Sequence, residues 1–179
     1  NADPKELFNP EYLFIDGVSR SGKNGVSPIV CSLANVEHMN GNFNFDRLLP
    51  LLETGNITLS GFKYFFESDL LIDSWYRLMG RDLNMNKHDI TSIVNSARFE
   101  EYKERLNVKD TEQTFKEIES RINNEKIIFP YCTEEMLPLA KEHPSIFNKI
   151  KILLVLRHPI EMIFSWHRSK RGSRIGVDR

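Results

Sequence analysis

Cysteine is scarce in this chain: Cys31 and Cys132 are the only two, and they fall in no C-x-x-C or Cys/His pattern. That argues against a disulfide framework and against a structural zinc site, and the two residues read as reduced, half-buried thiols. Long apolar runs are also missing, since none approaches the roughly 18–20 residues of a membrane span. The opening stretch NADPKELFNP lacks the basic start and apolar core of a signal peptide. The chain therefore reads as soluble and cytoplasmic, a reading that a lumenal domain trimmed of such segments would share. Nor does one sign of charge prevail. Lys and Arg number 24 against 25 Asp and Glu, so there is no general basic field of the kind a nucleic-acid backbone demands, and any anion site must be local. Internal repeats, low-complexity tracts and interdomain linkers are absent too. A length of 179 residues then fits one domain spanning 1–179.

What is present is an alternation of strands and helices, which predicts an α/β fold. Tyr12 to Asp16 reads as a buried strand, followed by a small-residue loop and a helix after Gly22. Pro28 lacks an N–H and crowds the carbonyl four residues back, so that helix is expected to kink or to begin late. Residues 44 to 125 read as helical throughout. Phe62, Phe65, Phe66, Ile72, Tyr76 and Met79 lie along one helical face, as do Phe115, Ile118 and Ile122, and both faces are assigned to the core. Asp110 with Gln113 resembles a capping box opening the last of these helices. A short strand is expected over Lys126–Tyr131 and a helix over Thr133–Glu142. The continuous apolar run Lys151–Leu156 predicts a strand buried on both faces of a parallel sheet. Pro159 then suits a first helical position, with Ile160, Ile163, Phe164 and His167 facing inward.

Two motifs carry chemistry. In LFIDGVSRSGKNG, residues 13–25, the spacing of Gly17, Gly22 and Lys23 satisfies G-x-x-x-x-G-K, but Asn24 stands where a nucleotide-binding P-loop needs Ser or Thr for magnesium. Glycines let backbone N–H groups approach an anion, the helix start adds partial positive charge, and Arg20 and Lys23 add two full charges. The second motif is LLVLRHPIEMIFS, residues 153–165, in which a strand delivers Arg157 at its carboxyl end and Ser165 lies about two turns into the following helix. Ligands of open α/β sheets gather outside such strand ends, so a second anion can bind there. A salt bridge at the sheet rim would equally account for Arg157.

Together these motifs resemble the paired signatures of the PAPS-dependent sulfotransferase family, P-[KR]-S-G-T-T and R-[DHN]-P-x-x-x-x-x-S. Here they stand as Ser19-Arg20-Ser21-Gly22-Lys23-Asn24 and as Arg157-His158-Pro159 through Ser165. Phe129-Pro130-Tyr131 and the helix after it are similar to the family's penultimate strand and helix. The resemblance implies a P-loop-type three-layer sandwich, mostly parallel, with a helical middle section. It also implies sulfuryl transfer from 3′-phosphoadenosine 5′-phosphosulfate (PAPS, giving PAP) to a hydroxyl or amine, without metal. By position, Ser19, Arg20, Ser21, Gly22, Lys23, Asn24 and Gly25 would face the 5′ end of the cofactor, and Arg157 and Ser165 would hold its 3′-phosphate. The sequence departs from the pattern at Ser19, Lys23 and Asn24, which replace proline and two threonines.

Arg20 and Lys23 are the candidates to stabilise charge on the leaving phosphate. A base must take the acceptor's proton, and Glu37 and His38 are the nearest candidates, with Asp46, Glu67 and Asp69 behind them. His158 and His167 form no metal-ligand spacing, so no metal site is predicted. The basic tail from Ser169, with Arg171 and Arg174, reads as a solvated end or as a further contact to the cofactor. The acceptor is a small molecule or glycan of undefined class, and the oligomeric state is unread. The chain is short for the family: it is either a minimal member or a piece without a closing segment. A P-loop kinase for a small metabolite and a nucleotide-binding module without catalysis are the alternatives.

Overall fold

The computed structural model describes residues 10–39, 44–89, 91–109, 111–134 and 136–168. Its centre is an all-parallel sheet of three strands, β1 (Glu11–Asp16), β2 (Ile128–Cys132) and β3 (Ile150–Leu154), in the order β2-β1-β3. Seven α-helices are present among the described residues: α1 (Lys23–Cys31), α2 (Asn44–Glu53), α3 (Leu59–Leu78), α4 (Phe99–Arg105), α5 (Glu112–Glu125), α6 (Met136–Glu142) and α7 (Pro159–Arg168). The α/β class is as the sequence predicts, and no helix among the described residues is long and apolar enough to cross a membrane.

Alternation along β1 explains its central position. Tyr12 and Phe14 point into one cluster with Phe45 of α2, Phe62 and Phe66 of α3, Ile118 and Ile122 of α5, and Phe129 and Tyr131 of β2. Ile15 points the other way, onto Val30 of α1 and Val36. Both faces of β1 are thus covered by apolar side chains, which is the burial that favours a parallel ladder. Phe14 stacks on Phe45 at 5.8 Å and meets Phe66 edge-on at 5.9 Å. Beneath β2, Asp73 accepts from Arg77 Nε at 2.7 Å and from Tyr131 Oη at 2.5 Å, and Arg77 Nη1 donates to the Pro130 carbonyl at 3.1 Å.

Several expectations need correction. Helix α1 begins at Lys23, directly after the loop, and carries Pro28 within it. Proline in the second turn removes the bond to the Asn24 carbonyl, while the Ser27 hydroxyl takes the preceding carbonyl, that of Lys23, at 2.8 Å. The described residues among 79–98 are not helical apart from a 3-10 turn over Ile93–Asn95. There Asn84, Asn86 and Asp89 each accept a backbone N–H two residues on, closing local turns that compete with helix. On α3 only Phe62 and Phe66 of the aromatic stripe are buried with Met79 beyond it, whereas Phe65, Ile72 and Tyr76 are exposed. Phe115 is also exposed and stands edge-on to Trp75. Thr111 caps α5 by accepting from Thr114 N; Asp110, read from sequence as the capping residue, lies outside the described residues.

The largest correction concerns β3 and α7. The strand lies at the sheet's edge, Leu153, Leu154 and Leu156 are exposed, and α7 buries none of its residues. Ile160, Ile163, Phe164 and His167 therefore face no core. An apolar run specifies a strand, but its burial depends on whether another layer covers it.

Candidate functional site

The loop between β1 and α1 is shaped by two glycines in the left-handed region. Gly17 (φ +145°) packs so closely on the end of β3 that a Cβ there would sit 2.5 Å from the Val155 carbonyl oxygen. Gly22 (φ +107°) is the residue before α1, with open space where its side chain would be. Arg20 also takes a positive φ of 70°, which is uncommon for a non-glycine residue and typical of sites where surrounding structure overrides local preference. The turn is closed by Ser21 N donating to the Val18 carbonyl at 3.1 Å, and Val155 N donates to the Asp16 carbonyl at 2.8 Å. The first and second motifs thus meet through backbone at adjacent carboxyl ends of β1 and β3.

Side chains join them a second time. Arg20 Nε donates to Ser165 Oγ at 3.1 Å and its Nη2 to the Ser165 carbonyl at 3.2 Å. Ser21 is buried, at 5% exposure, and among the described residues its hydroxyl has no hydrogen-bond partner. A buried orphan hydroxyl costs about 1–3 kcal/mol. In a loop whose helix N-terminus already favours anions, a ligand oxygen is the natural partner.

Lys23 is buried. Its ammonium donates to the Gly17 carbonyl, to the Thr133 carbonyl at 2.6 Å and to Glu134 Oε1 at 3.4 Å. Thr133 is held by Asp16, a residue whose role sequence reading missed. Its carboxylate accepts from Thr133 Oγ1 at 2.9 Å and from the N–H groups of Met136 and Leu137 at 3.2 and 3.0 Å, capping α6. An acidic residue at the end of a buried strand was the available signal. Asp46 accepts from Glu134 N at 3.1 Å; burial, with Glu134 and Asp16 nearby, raises its pKa. Asn24 and Gly25 are exposed in the first turn of α1, and Ser19 is half-buried.

Arg157 is not drawn to the loop. Its Nε donates to Glu161 Oε2 at 3.0 Å, one turn along, and both side chains are exposed. The rim salt bridge read as an alternative from sequence is therefore present, while Ser165 of the same motif contacts Arg20.

Glu37 and His38 form a separate assembly. Glu37 is 2% exposed, and accepts from Arg105 Nη1 at 2.9 Å and from His38 N at 2.9 Å. Burial alone would raise its pKa, but the Arg105 charge and these hydrogen bonds outweigh it and hold the carboxyl below its ordinary range. His38 Nε2 lies 2.8 Å from the Thr91 carbonyl, the ring stands edge-on to Tyr102, and burial lowers its pKa. No hydrogen bond among the described residues links either residue to the loop. Arg105 and Thr91 could not be foreseen as their partners, because both contacts are tertiary. Arg171 and Arg174 lie outside the described residues. Neither cysteine is in a disulfide.

No family model matches this chain, and no match is found among curated proteins or solved structures. The described residues define a small α/β fold with a three-strand parallel sheet, its glycine-bearing loop at the carboxyl end of the central strand.

Proposed function

We propose that the protein is a PAPS-dependent sulfotransferase of the P-loop type, moving a sulfuryl group from 3′-phosphoadenosine 5′-phosphosulfate to a hydroxyl or amine acceptor without a metal ion. The observation that carries this reading is the pair of hydrogen bonds from Arg20 to Ser165, which unites the two motifs of the resemblance at neighbouring strand ends. A turn that bound nothing would have no use for the buried, unpartnered Ser21 hydroxyl or for the open space beside Gly22. Both features suit the oxygens of a phosphosulfate group.

In this reading the loop amides and Ser21 bind the 5′ end, Lys23 braces the loop through the Gly17 and Thr133 carbonyls, and Arg20 stabilises negative charge that builds on the leaving phosphate. Ser165 orients the Arg20 guanidinium. Arg157 holds the 3′-phosphate by a charge-assisted fork, exchanging Glu161 for the ligand. Asn24 costs nothing here, because its position matters to magnesium and not to sulfuryl transfer.

The test is calorimetric binding of 3′-phosphoadenosine 5′-phosphate, ADP and ATP, each with and without magnesium. Preference for the 3′-phosphorylated nucleotide, indifferent to magnesium, is expected. A magnesium-dependent preference for ATP would overturn the reading in favour of a kinase.

A further inference from the structure

β3 is the outer strand of the sheet, and among the described residues no strand pairs with its free edge. Tyr12 N donates to the Lys149 carbonyl and Val155 N to the Asp16 carbonyl, so the odd-numbered residues of β3 address β1. Alternate residues of a paired strand turn their main-chain groups to opposite edges, so the N–H and C=O of Ile152 and Leu154 are directed outward. An edge of this kind is a template for another strand. Lysine commonly guards such edges, but Lys151 is drawn back along its own sheet to Glu11 of β1, at 2.5 Å.

The side chains at this edge are apolar. Leu153, Leu154 and Leu156, with Ile160, Ile163 and Phe164 of an α7 that buries none of its residues, are between 38 and 77% exposed. Together they present on the order of 600 Å² of surface, the upper end of what a monomer leaves uncovered in one apolar patch. A stable dimer buries about 800 Å² per copy, roughly two-thirds of it apolar, so the six residues are enough to supply the apolar part. The undescribed ends of the chain are poorly suited to cover them. Residues 1–9 bring Leu7 and Phe8, and residues 169–179 bring Ile175 and Val177 among Lys170, Arg171, Arg174 and Arg179.

We infer that this face takes a second copy of the chain, the two β3 strands running antiparallel about a two-fold axis at Leu153 and joining both sheets into one. A two-fold contact needs the same patch on both copies, complementary to itself, and an open strand edge provides it. Ile152 of each copy then stands opposite Leu154 of the other as a hydrogen-bonded pair. Leu153 meets its own counterpart at a non-hydrogen-bonded position, where Cα atoms are about 4.5 Å apart. Leu156 and the apolar residues of α7 close over the joint. The assembly does not depend on what the glycine-bearing loop binds, and so stands or falls separately from the sulfotransferase reading.

The test is sedimentation velocity on the full chain at concentrations from about 1 to 100 µM, since a dimer responds to mass action. The expected mass at the upper end is twice the 20.9 kDa of the monomer. Leu154→Lys in the strand edge and Ile163→Asp on α7 should each weaken association roughly tenfold or more. Neither side chain is buried, so circular dichroism and melting temperature should stay close to those of the wild-type monomer. Independently, Leu153→Cys should form a disulfide between copies under diamide, whereas Tyr64→Cys, exposed on α3, should not; wild type, with Cys31 and Cys132, sets the background. A wild type that stays monomeric, a dimer that either charged substitution leaves intact, or a Leu153→Cys chain that crosslinks no faster than Tyr64→Cys would overturn the inference.

Discussion

Arg20 and Ser165 stand 145 residues apart in the chain and are joined by two hydrogen bonds, one to the hydroxyl and one to the carbonyl. The guanidinium thereby bridges the loop after β1 and the helix after β3, and its positive φ shows that the backbone accepts strain to place it. If the bridge is an energetic unit, Arg20→Ala and Ser165→Ala should be non-additive. A double-mutant cycle on urea unfolding is expected to give a coupling of about 0.5–1.5 kcal/mol. Additive losses would mean that the contact contributes nothing.

The loop's two glycines predict contrasting costs. Gly17→Ala places a methyl against the Val155 carbonyl in a left-handed conformation, so strain and overpacking should together cost about 2–4 kcal/mol. Gly22→Ala meets no atom within 4 Å, and only the left-handed backbone opposes it, at about 1–2 kcal/mol. Urea midpoints of the two variants check the order, which reverses if the β1–β3 junction is looser than described.

Much of this geometry was legible in the residues because it is local. The strand at Tyr12–Asp16, the loop, and Pro159 as a first helical residue all follow from periodicity and from the special backbone roles of glycine and proline. What escaped depended on the rest of the molecule. The run Lys151–Leu156 is apolar enough for a central strand, yet it lies at an edge, and nothing in its own residues says which neighbours it will have. Around Asn84, Asn86 and Asp89 the apolar spacing suggests helix, but these residues make side-chain-to-backbone turns instead. At the site, the loop and the second motif could be matched by spacing. The Arg105 partner of Glu37, 68 positions away, could not.

That partner changes what Glu37 should do. Removing Glu37 leaves the buried Arg105 with the half-buried Glu101, at 2.6 Å, to offset its charge, so Glu37→Gln is expected to cost about 1–3 kcal/mol. The pH dependence has a definite sign. The folded carboxyl titrates below its unfolded value of about 4.3, so its stabilisation is fully present above that value and is lost as pH falls through the folded pKa. Urea unfolding of wild type and Glu37→Gln should therefore differ most at pH 5–7 and converge as the pH falls through the range in which the folded carboxyl takes up its proton. A pH-independent gap would show that Glu37 is not charged in the folded protein.

Arg157 tests the nucleotide reading most directly, because its hydrogen-bond partner among the described residues is the exposed carboxylate of Glu161, in the first turn of the helix that follows it. An exposed i,i+4 pair of this kind contributes about 0.3–0.5 kcal/mol, so neither Arg157→Ala nor Glu161→Gln should move the melting temperature appreciably. Their effects on ligands should diverge. If Arg157 holds the 3′-phosphate as proposed, Arg157→Ala loses a charge-assisted pair of about 1.5–3 kcal/mol and should weaken 3′-phosphoadenosine 5′-phosphate roughly 10- to 100-fold while leaving the 3′-hydroxyl analogue nearly unchanged. Glu161→Gln removes the competing carboxylate, and should tighten the 3′-phosphorylated nucleotide alone. Calorimetry with both nucleotides on both variants separates these outcomes: equal weakening of the two nucleotides by Arg157→Ala, or no selective gain in Glu161→Gln, would assign Arg157 to the sheet rim and remove it from the site.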